Sequence, residues 1–228
     1  MVKNHLKRLT IPRTWNLKRK GIRFALRPKS GKQQEYALPL GTVLKEMTHI
    51  CATSREAKAL LQNKAIVADG KVRHDIHYPV GLFETVTLAQ SKKSYRVTLD
   101  TKGRLAVITC TDADTLLCKI TGKTTLGKQS VQINCLNGKN FTVDKDTYKT
   151  GDVIVVKDNK VTKHLPLQNG ALCLLTAGKH AGTLATITNV DADTISVKTD
   201  NDEFDTLRAY AFVVGQTKPE ITVRGDAA

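Results

Sequence analysis

Lysine and arginine carry the chemistry most densely written into this chain. The first 34 residues hold eleven of them and no Asp or Glu. They are Lys3, Lys7, Arg8, Arg13, Lys18, Arg19, Lys20, Arg23, Arg27, Lys29 and Lys32, with His5 and Trp15 set among them. The remaining 194 residues hold 25 basic and 21 acidic groups, so eleven units of the formal charge of +15 fall in one-seventh of the chain. Ammonium and guanidinium groups at this density neutralise phosphates. The chemistry on offer is therefore the binding of a polyanion.

Residues that make or break bonds are not arranged to do so. Gly122-Lys123-Thr124 has the form of the end of a phosphate-binding loop, but the glycine needed five residues earlier is Leu117. His74 and His77 stand close with no cysteine nearby, and two ligands do not make a zinc site. Asp112 with Asp114, and Asp191 with Asp193, lack the other ligands of a calcium loop. Asn140-Phe141-Thr142 has the form of a glycosylation sequon, which has no use without secretion. The five cysteines are odd in number, widely spaced and without a CxxC, which predicts buried free thiols in a reducing compartment. No nucleophile elbow or carboxylate pair stands out. The expectation is no catalytic residue, cofactor, metal or small-molecule substrate, and no enzyme. No run approaches 18 apolar residues and the N-terminus has no apolar core of a signal, so neither membrane nor secretion is expected.

These cations need elements to position them. The arm, 1–37, has no helical apolar stripe and its charges repel, so it is expected to order only on its partner or against the body. Trp15, Ile22 and Phe24, interleaved with its charges, argue against a merely solubilising tail. Pro39 opens the first regular element, and Leu40, Val43, Leu44, Met47 and Ile50 predict one face of an amphipathic helix. Thr53-Ser54-Arg55-Glu56 is a capping box. The helix it starts buries Ala57, Leu60 and Leu61 and shows Arg55, Lys58 and Gln62 on its other face. An apolar strand at 65–68 leads to Asp69-Gly70, a hairpin turn because both positions tolerate positive φ. Lys71-Val72-Arg73 returns, Tyr78-Pro79-Val80-Gly81 reads as a turn, and 84–88 as a strand.

Beyond residue 90 the pattern is short strands and turns. Tyr95, Val97 and Leu99 alternate, Asp100 to Arg104 turns, and Leu105 to Cys110 runs back. Val131, Ile133 and Cys135 lead into Asn137-Gly138, and Phe141 and Val143 continue. The runs 153–156 and 161–165 flank Asp158-Asn159. Five more runs, at 172–175, 183–190, 194–198, 204–207 and 211–214, predict a compact barrel. The fold class is α+β, mainly β.

The stretch SREAKALLQNKAIVADGKVR, 54–73, resembles the S-four RNA-binding domain. Asn63-Lys64 stands where that family bends from helix to strand, and Asn is expected to take the left-handed conformation there. The stretch from Leu174 through Gly178-Lys179-His180 to Thr183 resembles the start of a KOW motif, whose small-residue loop lets a phosphate approach. With KNHLKRL at 3–9, LPL at 38–40, DGKVRHDIHYP at 69–79 and DTKGR at 100–104, the whole chain resembles the archaeal and eukaryotic small-subunit ribosomal protein S-four-e family. The short stretch after the barrel favours an archaeal-type member. The resemblance implies a basic N-terminal arm (1–37), a small α/β S-four domain (38–90), a central antiparallel β domain (91–167), a C-terminal SH3-like KOW β-barrel (168–216) and a tail (217–228).

It further implies a structural constituent of the small ribosomal subunit, cytoplasmic, that binds rRNA at its 5′ domain beside neighbouring small-subunit ribosomal proteins. The expected RNA contacts are the eleven arm cations with His5 and Trp15; Ser54, Arg55, Lys58, Lys64, Lys71 and Arg73 in the S-four module; and Lys179 and His180 in the barrel loop. The competing readings are a free RNA-binding regulator of transcription or translation using the barrel, and an RNA-modifying enzyme, for which no catalytic domain is found.

Overall fold

A computed structural model describes residues 5–126, 130–144, 146–157, 160–199 and 202–223. Lys3, the Asp158-Asn159 turn and the last five residues of the tail lie outside the described residues. The chain forms two compact units, one drawn from 1–98, 104–114 and 223–228, the other from 99–103 and 115–222.

In the first unit the arm lies against the body. Leu6–Lys7 pairs antiparallel with Phe24–Ala25. Trp15 bridges to Leu105, is 2% exposed, and donates its indole N–H to the Gln34 carbonyl at 2.9 Å. The partner of Ala37–Pro39 is Pro79–Gly81, so the segment read as a turn at 78–81 is in part a strand. All six residues of that pair are buried, which explains a strand where the local Pro and Gly spelled a turn.

The first helix is shorter and wider than its apolar spacing predicts. An α turn at Leu40–Thr42 passes into a π turn at Val43–Met47, closed by a bond from the Thr48 amide to the Val43 carbonyl at 3.0 Å. The Thr48 hydroxyl donates to the same carbonyl, and His49 ends the element at φ +52°. Leu40, Val43 and Leu44 are buried, while Met47 and Ile50 are half-buried.

The second helix, Ser54–Gln62, starts as expected. Thr53 accepts from the Glu56 amide, and Glu56 reaches back to the Ala52 amide at 2.9 Å. The same contacts, led by the Thr53 hydroxyl, hold the Glu56 carboxyl below its ordinary value. A five-stranded sheet follows in the order Lys71–Val72, Ile66–Ala68, Thr85–Leu88, Ser94–Leu99, Leu105–Cys110. Asp69 and Gly70 sit at φ +55° and +70°, the two positive values of a type I′ turn.

The second unit holds two five-stranded antiparallel sheets. One runs Asn140–Val143, Ser130–Cys135, Thr115–Leu126, Val153–Lys157, Lys160–Leu165. The Thr115–Leu126 strand has twelve residues and no alternation to announce it. Its first half is covered on both faces. Leu116, Cys118 and Ile120 pack with Ile133, Cys135, Ile154 and Val156, while Leu117 and Lys119 are buried on the other side. A strand buried twice reads as an apolar run, not as a pattern of two.

The other sheet runs Glu203–Leu207, Thr194–Lys198, Leu184–Val190, Leu172–Leu175, Ala211–Gly215. A four-strand meander whose fifth strand returns beside the first has the strand order of an SH3-like barrel. Lys119 ties the two sheets together: its ammonium donates to the Ala209 and Ala211 carbonyls, each at 2.6 Å. All five cysteines are free thiols, four of them buried. No helix among the described residues is long and apolar enough to cross a membrane.

Candidate nucleic-acid interface

The arm cations divide into two sets. Lys7, Arg13, Lys18, Arg19, Lys20, Arg23, Arg27 and Lys29 are exposed, as is His5. Arg8, Trp15 and Lys32, expected among the RNA contacts, are turned inward instead. Arg8 is 3% exposed, donates to the Lys18 carbonyl and pairs with Glu46 at 2.5 Å. Lys32 pairs at 2.5 Å with Glu84, whose side chain is fully buried and also accepts from the Gly81 amide. Burial pushes the Glu84 carboxyl up, against the pull of Lys32. Among the described residues, the arm cations that face solvent are the exposed set alone. Of these, Lys29 already pairs with Asp75, and Arg19 bonds the carbonyls of Leu9, Ile11 and Pro12.

The second helix and its hairpin present Ser54, Arg55, Lys58, Lys64 and Lys71 to solvent. The helix ends in a Schellman motif. The Ala65 amide bonds the Leu60 carbonyl and the Lys64 amide the Leu61 carbonyl, both at 3.1 Å. The left-handed residue is Lys64, at φ +56°, and not Asn63, which keeps φ −73°. Asn63 still belongs to the last turn, so the position that needs positive φ falls one residue later. This bend sets Lys64 between helix and strand. Arg73 is half-buried, its guanidinium 4.1 Å from the centre of the Tyr78 ring.

A cleft of about 370 Å³ opens beside this face, lined by Lys58, Gln62, His74, Asp75, Ile76 and His77. His74 Nδ1 meets the Leu61 carbonyl at 3.2 Å and His77 Nδ1 the Arg27 carbonyl at 2.8 Å. A carbonyl only accepts, so each Nδ1 carries its hydrogen and each Nε2 is the nitrogen left for a ligand. Gln62, His74 and His77 are absent from the expected contacts. Gln62 was legible on the polar face of its helix, whereas His74 and His77 show only as polar residues flanking Ile76, a pattern that many surface loops share.

In the second unit the loop 176–183 joins two strands of the barrel sheet. Lys179 is exposed; His180 is half-buried and stacks on Phe204, with ring centres 4.1 Å apart and planes 22° apart. Gly182 has φ +84°, and a Cβ there would stand 1.8 Å from the Asp100 carbonyl oxygen, so no other residue fits. A Cβ on Gly103 would likewise meet the Ala181 side chain at 2.8 Å. The loops 100–103 and 178–183 therefore pack on each other, and Lys179, in the second of them, is exposed. Among the described residues no group of three His, Cys, Asp or Glu could hold a metal ion.

Comparison with known proteins gives a consistent result. Residues 2–31 match the RS4NT (NUC023) domain and residues 91–161 match Ribosomal family S4e. Small ribosomal subunit protein eS4 of Methanocella arvoryzae is 32% identical over 230 residues, 97% of this chain and 98% of that protein. The eS4 protein of Archaeoglobus fulgidus is 35% identical over 224 residues, 95% of each chain. The crystal structure of the 30S ribosomal protein S4e from Thermoplasma acidophilum is 25% identical, with a TM-score of 0.67 over 80% of this chain and 95% of that one.

Fold and exposed charge define the class: an α+β, mainly β chain with a basic arm folded back on it and its cations displayed on loops and one helix face. The chain belongs to the ribosomal S4e family.

Proposed function

We propose that the chain is a structural constituent of the small ribosomal subunit that binds rRNA, and that it is not an enzyme. Its place is the cytoplasm, in the subunit, at the 5′ domain of the rRNA and beside neighbouring small-subunit ribosomal proteins. The observation that carries this reading is the likeness to eS4 proteins over nearly the whole chain, joined to eight exposed Lys and Arg in the arm. Neither a free regulator nor an RNA-modifying enzyme is favoured by any feature of the fold.

The parts act in different ways. The exposed arm cations Lys7, Arg13, Lys18, Arg19, Lys20, Arg23, Arg27 and Lys29, with His5, neutralise phosphates. Ser54, Arg55, Lys58, Lys64, Lys71 and Arg73 form the second RNA-binding set, on a module spanning 38–90 whose helix and hairpin dock RNA by shape and backbone. Lys179 and His180 make a third, on the barrel of 168–216. Arg8, Trp15 and Lys32 anchor the arm to the body instead of touching RNA.

The test is salt dependence. About five phosphates neutralised by the arm give a slope of roughly −3.5 in log affinity against log salt for single-stranded RNA, so a fourfold rise in salt weakens binding on the order of 100-fold. Replacing Arg13, Lys18, Lys20 and Arg27 together by Gln flattens the slope by about 0.7 for each phosphate no longer neutralised. A slope that stays as steep as that of the unaltered chain overturns the role of the arm.

A further inference from the structure

We infer that Phe24 is a stacking platform for one unpaired nucleobase of the RNA, so that the arm reads an exposed base and not only phosphate charge. This rests on the RNA-binding reading above and adds a ligand class and a residue to it.

Three large apolar side chains of the arm face water: Leu9 is 70% exposed, Ile22 56% and Phe24 46%. They lie in the most basic stretch of the chain, where a soluble tail has no use for them. Phe24 is held, not loose. Its backbone pairs with Lys7, and the Arg8 amide bonds the Arg23 carbonyl beside it at 3.0 Å. The His5 ring meets Phe24 edge-on, with centres 5.4 Å apart at 79°. The Arg23 guanidinium lies over one face of the Phe24 ring, 5.2 Å from its centre, so a base would take the other face. An aromatic ring backed by a guanidinium, met by a second aromatic ring and set across the ladder from a lysine is what single-stranded nucleic-acid sites assemble.

Charge complementarity selects the occupant. With eleven cations and no carboxylate in the first 34 residues, the partner is a polyanion. A single-stranded nucleic acid is a polyanion that also carries flat π faces, and RNA is the one that the proposed function supplies. Paired bases are stacked on one another and offer no face to Phe24, so the base it takes is unpaired. The stacking is sequence-tolerant, since every base has a π face.

The experiment uses the full chain with Phe24→Leu, Phe24→Tyr and Phe24→Trp. Leu keeps apolar bulk at an exposed site without the π face, and circular dichroism checks that each variant folds. The probes are a single-stranded RNA of roughly 12 nucleotides, a blunt duplex of the same sequence, and heparin, which has charge and no bases. The expected result is that Phe24→Leu weakens single-strand binding by about 5- to 150-fold with an unchanged salt slope, since one stacked base is worth about 1–3 kcal/mol. Phe24→Tyr restores it, and binding to duplex and heparin does not change. Phe24→Trp adds a reporter whose fluorescence the single strand quenches and heparin does not. The chain's one natural tryptophan, Trp15, is buried and contributes a constant background. Unchanged single-strand affinity in Phe24→Leu overturns the inference, as does an equal loss on all three probes. A Glu-rich apolar peptide is run as a fourth probe, and a loss seen only with it also overturns the inference, because the patch would then be a protein-docking surface. Failure of the unaltered chain to bind small-subunit rRNA at all would instead remove the RNA reading beneath it.

Discussion

Lys64 shows how a single residue can carry two demands that conflict. A left-handed φ of +56° on a side-chain-bearing residue costs on the order of 1 kcal/mol relative to Gly. The strain places an exposed ammonium at the bend of the proposed RNA face. Lys64→Gly is therefore expected to raise the urea midpoint by the equivalent of about 1 kcal/mol and to weaken RNA binding several-fold. Improvement in both properties would show that Lys64 does not touch RNA. Lys32 conflicts with its surroundings in another way. It is one of the basic arm residues by sequence, yet its partner is the buried Glu84. Lys32→Met leaves that carboxylate without its counter-ion and is expected to cost about 3–5 kcal/mol near neutral pH. Burial already raises the Glu84 carboxyl, so proton uptake relieves the loss as pH falls, and urea unfolding of the variant at several pH values reads both effects. Asp69-Gly70 could be read from sequence because a type I′ turn is decided by its own two residues. Lys64 could not, because which residue of Asn63-Lys64 takes the positive φ depends on where the helix stops.

At the scale of elements, legibility followed burial. The capping box at Thr53 and the return strand at Lys71 are set by local signals and were readable. The Thr115–Leu126 strand was not, because both faces of its first half are covered and its apolar residues do not alternate. Lys119 interrupts that run, and its two carbonyl partners lie on the distant segment Ala209 to Ala211. Burial, its largest influence, lowers the Lys119 ammonium from 10.5 to about 8. Between those values the unfolded chain holds a proton that the folded chain has released, so this group makes stability rise with pH from about 8 upward. Cys173 acts in the opposite sense. Burial pushes its thiol from 9.0 to about 12, so above 9 its ionisation favours the unfolded chain. Between pH 8 and 9 Lys119 contributes a rise of about 1 kcal/mol, while the thiols of Cys51, Cys110, Cys118 and Cys173, all raised above 9.0, work in the opposite sense as their unfolded counterparts begin to ionise. Urea unfolding at pH 8 and pH 9 is expected to show the unaltered chain gaining about 1 kcal/mol relative to Lys119→Met over that step, the thiols being common to both. The same pH dependence in both chains would mean that Lys119 does not titrate in this range.

Over the whole molecule, the basic arm was evident from the sequence, and the likeness to an eS4 protein runs over 97% of the chain. How the arm is held was not. Its anchors are Arg8 with Glu46, Trp15 with Leu105, and Lys32 with Glu84, and each partner lies far along the chain. Local patterns carry no trace of such pairs. These anchors also decide how the arm should be tested. Cutting away residues 2–34 would strip Trp15 and Lys32 from the first unit and confuse folding with binding. Neutralising the exposed cations leaves the anchors in place, so a flattened salt slope with an unchanged urea midpoint is the expected outcome.

The central claim is that the chain works as a built-in part of the small ribosomal subunit. Sedimentation of native extract through a sucrose gradient at low magnesium, with an antibody to the chain, tests it most directly. The account predicts stoichiometric migration with the small subunit that survives moderate salt. Migration at the top of the gradient, free of subunits, would contradict it.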